Sequence, residues 1–156
     1  MISNQILQDT VDGIKAISRT DLCVMDTEGK ALASTIADVS GYVESVLIFA
    51  QSLAESQMMQ GYQFFKVFDE NQLEYIILVK GESDDVYMVG KLAAFQIQNL
   101  LVAYKERFDK DNFIKNLLLD NLLLVDIYNR AKKLHIETDV KRLVYIIETK
   151  RDKDSN

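Results

Sequence analysis

Two neighbouring segments, residues 62–68 and 73–79, carry apolar side chains on both of their faces. The apolar positions are Tyr62, Phe64 and Phe68 against Phe65 and Val67 in the first segment, and Leu73, Tyr75, Ile77 and Val79 against Ile76 and Leu78 in the second. Short apolar runs of this kind, bounded by turn residues, indicate β-strands. A sheet that is apolar on both faces must be covered on both faces. The sequence therefore predicts a sheet between two layers of helices.

Three further segments complete the predicted sheet. Residues 22–25 and 30–35 are apolar runs joined by an acidic turn that contains Gly29, and this pattern predicts a hairpin. Residues 85–90 follow the turn at 81–84 and are interpreted as the fifth strand.

Apolar residues at three- and four-residue spacing predict helices over residues 3–18 and about 41–59, and again from Lys91 onward. The chain contains no proline, which permits long helices without kinks. The polar run 109–112 is either a break with a new cap or a turn within one long helix. We therefore expect an α+β fold: a five-stranded antiparallel sheet, helices on both faces, and a long C-terminal helical segment.

The same patterns predict three regions along the chain. We expect a compact domain over residues 1–105, a helical linker and dimerisation segment over 106–136, and the start of a truncated second domain over 137–156. The last region contains the apolar run 143–147, which is interpreted as a buried strand. Because a strand cannot stand alone, this one either joins the edge of the first sheet or belongs to a domain that the chain lacks.

Leucine and phenylalanine recur through the helical segment, which is too apolar to be left in water and is typical of an interface. The residues predicted to mediate dimerisation are Phe95, Leu101, Phe108, Phe113, Leu117 and Leu118. We expect either a homodimer through a coiled-coil-like or helix-pair seam or packing against a missing domain.

The net charge of −6 is unevenly distributed, since residues 1–104 hold 6 Lys/Arg against 14 Asp/Glu. Nucleic acid binding needs several clustered cations, so we expect no DNA binding from this chain alone. The N-terminus lacks the basic start and apolar run of a signal peptide, and no run reaches about 18 uninterrupted apolar residues. With a single cysteine, these features predict a cytoplasmic protein that does not insert into a membrane.

The sequence lacks the parts of an active site. A catalytic set would have to use His135, the single histidine, and a zinc cluster cannot be built from one histidine and Cys23. The pair Asp84-Asp85 is interpreted as a solvated turn rather than an acid–base pair. We therefore expect no enzyme activity, no metal site and no cofactor.

A small-molecule site is a separate possibility, because Lys66 lies among aromatic residues on one strand face and could receive an anionic metabolite. The candidate ligand-binding residues are Cys23, Met25, Ser34, Tyr42, Phe49, Phe64, Lys66 and Met88. The alternative is that Lys66 lies at a sheet edge with its amine in solvent, and that the others pack the core.

The predicted order of elements resembles the profilin-like folds, which include PAS, GAF and roadblock domains, and the roadblock order matches best. The later segment resembles the carbohydrate diacid regulator and purine-catabolism regulator family in three places: residues 112–121, which contain a Phe-x-x-x-Leu-Leu helix; residues 130–136, Arg-Ala-Lys-Lys-Leu-His-Ile; and the apolar run 143–147. Glycine is common in that family where this chain has Asp120 and His135. The stretch that usually follows the first hairpin in the diacid-recognition signature is missing.

Two functions remain open from the sequence. The resemblance implies that residues 1–105 are a PAS- or roadblock-like sensor domain, and that the chain is the ligand-sensing and dimerisation part of a bacterial transcription regulator that lacks its DNA-binding region. The alternative is a roadblock-like interaction module that dimerises and binds no small molecule. A sensor predicts a pocket within the fold, whereas an interaction module predicts a filled core.

Overall fold

A computed structural model describes residues 2–145 of the chain. The chain divides into two compact units, Met1–Phe108 and Asp109–Asn156, and the boundary between them falls inside the longest helix.

The first unit contains most of the regular structure. Its elements in chain order are α1 (Asn4–Ser18), β1 (Leu22–Met25), β2 (Ala31–Ser34), a short 3-10 turn (Ser40–Tyr42), α2 (Val43–Gln51), β3 (Ser56–Met59), β4 (Tyr62–Asp69), β5 (Gln72–Lys80) and the first part of α3 (Asp84–Leu118).

The five strands form one antiparallel sheet in the order β2-β1-β5-β4-β3. The central strand β5 pairs with both β1 and β4, so that Ile77 lies beside Val24 on one side and Phe65 on the other. The predicted α+β class, with a five-stranded antiparallel sheet and a long C-terminal helix, is confirmed.

Each face of the sheet is covered by helices, as predicted from strands that are apolar on both faces. On one face α1 and α3 pack over the first core, whose fully buried members include Leu7, Val11, Phe65, Ile77 and Ile97. On the other face α2 packs over the second core, formed by Cys23, Met25, Val46, Phe49, Tyr62, Phe64, Ile76 and Leu78.

The fifth strand lies elsewhere than the sequence predicts. Residues 85–90 belong to α3, so their assignment as a strand is wrong. The side chain of Ser83 accepts a hydrogen bond from the Val86 N–H and so caps the start of the helix. The carboxylates of Asp84 and Asp85 lie in its first turn, where negative charge stabilises the N-terminal end of a helix.

The true fifth strand is β3, which lies inside the predicted helix 41–59. Helix α2 ends at Gln51, where the Ser52 N–H and hydroxyl both donate to Phe49 O. Gln60 and Gly61 then adopt positive φ angles of 53° and 79°, the pattern of a type I′ hairpin turn, which pairs β3 with β4.

Helix α3 runs without interruption from Asp84 to Leu118, so the polar run 109–112 lies inside one helix. By length and composition alone, one 18-residue window of this helix is apolar enough to cross a membrane, and 22% of that window is buried. Its inner residues Ala93, Ile97 and Leu101 pack in the first core, and Gln98 donates to Phe68 O.

The second unit contains the end of α3 and the helix α4 (Leu124–Lys133). Each helix ends at a residue with positive φ, Asp120 after α3 and His135 after α4. Of the predicted strand at 143–147, the first three residues lie in no strand and are exposed, and the last two lie outside the described residues.

Candidate interaction surface

Most of the residues proposed for ligand binding lie together on the α2 face of the sheet. Cys23, Met25, Phe49 and Phe64 have no exposed surface and pack in the second core. Tyr42 lies at the margin of this core, with its ring centroid 4.4 Å from that of Tyr62. These side chains fill the space between α2 and the sheet with one another.

Of the other three candidates, Ser34 and Met88 lie in different settings, and Lys66 is described below. Ser34 stands opposite Cys23 in the sheet, and its hydroxyl donates to Ile36 O. Met88 lies on α3, which covers the opposite face of the sheet, and is 58% exposed. Met88 is therefore separated from the rest of the set, because residues 85–90 form a helix rather than a strand.

Lys66 is engaged by the chain itself. Its Nζ donates to Ser52 O at the end of α2 and lies 5.0 Å from the centre of the Phe49 ring. Burial lowers the pKa of the Lys66 ammonium. The lysine therefore ties the C-terminal end of α2 to β4, and the ring contact offsets part of the cost of desolvating the charge.

The titratable groups of this core are held in their neutral forms. Burial raises the pKa of the Cys23 thiol to about 11. Burial, followed by the hydrogen bond with Tyr42, raises the pKa of Tyr62 to about 12. A neutral thiol without surface exposure is a poor nucleophile, so Cys23 is a packing residue.

The polar residues singled out for chemistry have structural positions. His135 closes α4, and the Ile136 N–H bonds to Ala131 O one residue later. Asp84 and Asp85 lie in the first turn of α3 and are exposed. Within residues 2–145, no group of three His, Cys, Asp or Glu side chains is placed to hold a metal ion.

The six residues predicted to mediate dimerisation divide between two environments. Phe95, Phe108, Leu117 and Leu118 are exposed, as an interface requires before assembly. Leu101 belongs to the first core, and Phe113 is 3% exposed within the second unit. Leu101 and Phe113 therefore contribute to the fold of the chain rather than to a free surface.

A row of side chains, apolar except for Asn99, runs along the side of α3 that faces away from the sheet. We name it the outer α3 seam; its members are Met88, Leu92, Phe95, Asn99 and Val102, all of them exposed. At 100° per residue these positions fall within about 40° of one line, and the buried Ala93, Ile97 and Leu101 fall roughly on the opposite side. Helix α3 is thus apolar on both faces.

Helix α1 borders the outer α3 seam and widens it. An open groove of about 580 Å³ runs between the two helices, with Ile14 and Ile17 of α1 facing Leu92 and Phe95 of α3. Ile17 is 87% exposed. Gly13 lies in the same groove, and a Cβ added there would meet no atom within 4 Å.

A second set of exposed apolar residues lies around α2, on the other side of the sheet. It consists of Leu47, Ile48 and Leu53; Met58 of β3 is also exposed, but it pairs with Gln63 and so points to the α1–α3 face. The three on the α2 side are distributed over a helix and the loop after it, and they do not form one row.

Sequence reasoning missed four members of the outer α3 seam, Met88, Leu92, Asn99 and Val102. The signal was present as an alternation of four- and three-residue steps from residue 88 to 102. It was hidden because residues 85–90 were assigned to a strand, which removed the first member and the phase of the row.

No protein-family model matches this sequence, and no curated protein matches it.

Proposed function

We propose that the chain is a homodimerising interaction module without enzyme activity, and that its first unit associates through the α1–α3 side. The observation that carries this proposal is that α3 exposes Leu92, Phe95 and Val102 on the face opposite the sheet. The first unit already uses the inner face of the helix in its core, and within that unit's described residues the outer face remains exposed. Contiguous apolar surface of this kind typically marks a protein interface.

The size of the surface fits this role. Met88, Leu92, Phe95, Val102 and Ile17 are each more than half exposed. Together they present about 600 Å² of largely apolar surface, against about 800 Å² per partner in a standard interface. The remaining area would come from the polar residues that surround the seam.

The filled second core supports an interaction module over a ligand sensor. A sensor would keep space between α2 and the sheet, whereas Phe49, Phe64 and Met25 occupy it with no exposed surface. Ligand binding there would require these side chains to move out of a packed core, which is costly.

We place this module in a cytoplasmic bacterial transcription regulator of the carbohydrate diacid and purine-catabolism type, whose contact with DNA comes from a region outside this chain. The resemblance over residues 112–136 supports the assignment. The two positions where that family commonly has glycine, Asp120 and His135, are both left-handed here, with φ of 56° and 54°. A left-handed residue after a helix is the position that favours glycine.

Sensing of a small anionic metabolite is the second candidate, and Lys66 is the residue that favours it. Its ammonium carries three N–H donors, lies beside an aromatic ring and is only partly buried. A carboxylate arriving at the margin of α2 would compete with Ser52 O for this charge.

The dimer is tested by light scattering and sedimentation at protein concentrations from 1 to 100 micromolar. We expect a dimer at tens of micromolar. The double variant Leu92→Ser/Phe95→Ser should weaken it at least about 100-fold, because it removes two large anchors from each copy. Ile48→Ser is the matched control, since Ile48 is 61% exposed but lies on α2. A wild-type monomer at every concentration would refute the proposal.

The sensing candidate is tested by thermal-shift measurements with sugar acids, purine catabolites and amino acids. A ligand of the folded state raises the melting temperature, and a shift that disappears in Lys66→Met would establish sensing at this site. No shift across the whole library would exclude it and leave the interaction module.

A further inference from the structure

We infer that two copies of this chain pair through the outer α3 seam with their α3 helices parallel, so that Asn99 meets Asn99 of the second copy. This inference rests on the proposed dimer and adds its surface, its orientation and its register.

The spacing of the seam is that of a coiled coil. From Met88 the steps are four, three, four and three residues, ending at Val102. In a heptad, Leu92 and Asn99 take the a positions, whereas Met88, Phe95 and Val102 take the d positions. The next position of the row is Glu106, so the apolar seam spans two heptads and stops there.

Asn99 decides the orientation. It is the polar member of an otherwise apolar row, and its amide would lose water when the seam is covered. In a parallel pair, equivalent a positions face each other, so the two Asn99 amides donate to and accept from one another. An asparagine at one a position is a known means of specifying register and oligomeric state, at some cost in stability.

An antiparallel pair places Asn99 badly. Reversing one helix brings each a position against d positions of the other, so Asn99 would face Met88, Phe95 or Val102 of the second copy. Each of those neighbours is apolar and leaves the amide without a partner. A buried polar group without a hydrogen bond costs roughly 1–3 kcal/mol, and a symmetric dimer would incur this cost twice.

The residues beside the seam are compatible with a parallel pair. In that arrangement Lys91 of one copy approaches Gln96 of the other, and Gln98 approaches Ala103. Neither contact sets like charges against each other. Both sides of the interface therefore tolerate the register that the Asn99 pair requires.

The orientation is tested by disulfide trapping in two single variants, Leu92→Cys and Val102→Cys. In a parallel pair each new cysteine faces the same cysteine of the second copy. Their Cα atoms are then about 4.4–6.8 Å apart, the distance that a disulfide spans. In an antiparallel pair at most one position on the helix can lie beside itself, because residues 92 and 102 are about 15 Å apart along the axis. Both variants are oxidised under mild conditions, separately and mixed.

The native chain offers two controls. Wild type should form no covalent dimer, because Cys23 is fully buried and its thiol is neutral. Ile48→Cys places an exposed cysteine on α2, outside the seam, and should cross-link no more than random collision allows.

We expect most of the protein to become covalent dimer in both Leu92→Cys and Val102→Cys alone. Cross-linking that appears only when the two variants are mixed would show an antiparallel pair and overturn the inference. A dimer in light scattering with no cross-link at either site would also overturn it, while leaving the proposed dimer standing. A monomer in light scattering would overturn both.

Discussion

Replacing Gly90 with alanine tests the packing of α3 on the sheet at its closest point. A Cβ at this position would lie 2.0 Å from Cε2, 2.3 Å from Cζ and 2.7 Å from Cδ2 of the Phe65 ring. The Phe65 ring is 1% exposed in the first core, and its centroid lies 5.5 Å from that of Tyr87, one turn before Gly90 in α3. The new methyl group therefore meets a side chain that has little room to withdraw.

The change in the free energy of unfolding follows from two opposed effects. Carbon atoms pack at about 3.5–4.0 Å, so the ring would have to move by about 1.5 Å. Overpacking a core typically costs about 1–3 kcal/mol, and an overlap this large lies at the upper end. Alanine recovers about 1 kcal/mol over glycine in a helix interior. We expect Gly90→Ala to lower the free energy of unfolding by about 2 kcal/mol, or the melting temperature by roughly 10 °C.

Urea unfolding followed by circular dichroism measures this change, and Gly13→Ala is the matched control. Gly13 lies inside α1 with no atom within 4 Å of an added Cβ, so alanine there should stabilise by up to about 1 kcal/mol. Measuring at two protein concentrations separates unfolding from dimer dissociation, since Gly13 lies in the α1–α3 groove.

A second substitution locates the cause of the loss. Phe65→Leu in the Gly90→Ala background should cost less than Phe65→Leu alone, because the smaller side chain makes room for the methyl group. If Gly90→Ala is as stable as wild type, or if the two substitutions are additive, the close contact between α3 and β4 does not exist.

Four further outcomes are open to direct measurement in single variants. Asp120→Gly and His135→Gly should each stabilise the second unit by about 0.5–1 kcal/mol, seen as slower hydrogen exchange in α4, because glycine relieves the left-handed backbone; faster exchange would contradict this. Stability should fall as pH rises from 9 toward 11, because the unfolded chain releases the Cys23 proton while the folded chain retains it until about 11. The loss is on the order of 2–3 kcal/mol, and urea unfolding of Cys23→Ala should show a shallower decline; an equal slope would exclude this cause. Tyr62→Phe should flatten the decline further above pH 10, since the Tyr62 pKa is raised to about 12. Asn99→Leu should tighten the dimer in sedimentation and allow Leu92→Cys to cross-link with Val102→Cys, because the polar pair no longer sets the orientation; a weaker dimer would count against the seam.

The central part of the fold follows from local sequence patterns. In 62–68 and 73–79 the two faces of each strand are both apolar, and this pattern is sufficient to require helices above and below. Phe65 and Ile77 do enter the core beneath α1 and α3, whereas Phe64 and Leu78 enter the core beneath α2. Burial imposes this arrangement, so it can be predicted from the sequence.

The edges of the fold depend on effects that local patterns do not contain. The segment 56–59, Ser-Gln-Met-Met, has weak strand propensity and forms β3 because the Gln60-Gly61 turn folds it back onto β4. Residues 85–90 contain two valines and a tyrosine, which favour strands, yet the capping serine before them and the contact of Gly90 with Phe65 make them helical. In both places a turn or a tertiary contact overrides propensity.

The interaction surface was predictable only in part, for the same reason. Phe95 and Leu101 appear equivalent in the sequence, because both belong to an apolar helical stretch. Their roles separate only when the sheet occupies one side of the helix, which leaves Phe95 exposed and buries Leu101. An apolar residue on a helix can be assigned to a core or an interface only after the other face of that helix has been identified.

The hydropathy of α3 bears on whether lipid or a protein partner covers its outer face. One 18-residue window reaches a mean hydropathy of 1.2, enough for a membrane span by composition, because the core-facing row and the outer α3 seam add together. The core-facing row packs on the sheet, where Ile97 is buried and Gln98 donates to Phe68 O, so this side of the helix is covered by the fold. The outer α3 seam has Asn99 near its centre. A partner helix can offer a hydrogen bond to this amide, whereas an acyl chain cannot. Wild-type protein should therefore remain unbound when mixed with phosphatidylcholine–phosphatidylglycerol vesicles in a flotation assay. Flotation that disappears in Leu92→Ser/Phe95→Ser but not in Ile48→Ser would show that the seam meets lipid instead of a second copy.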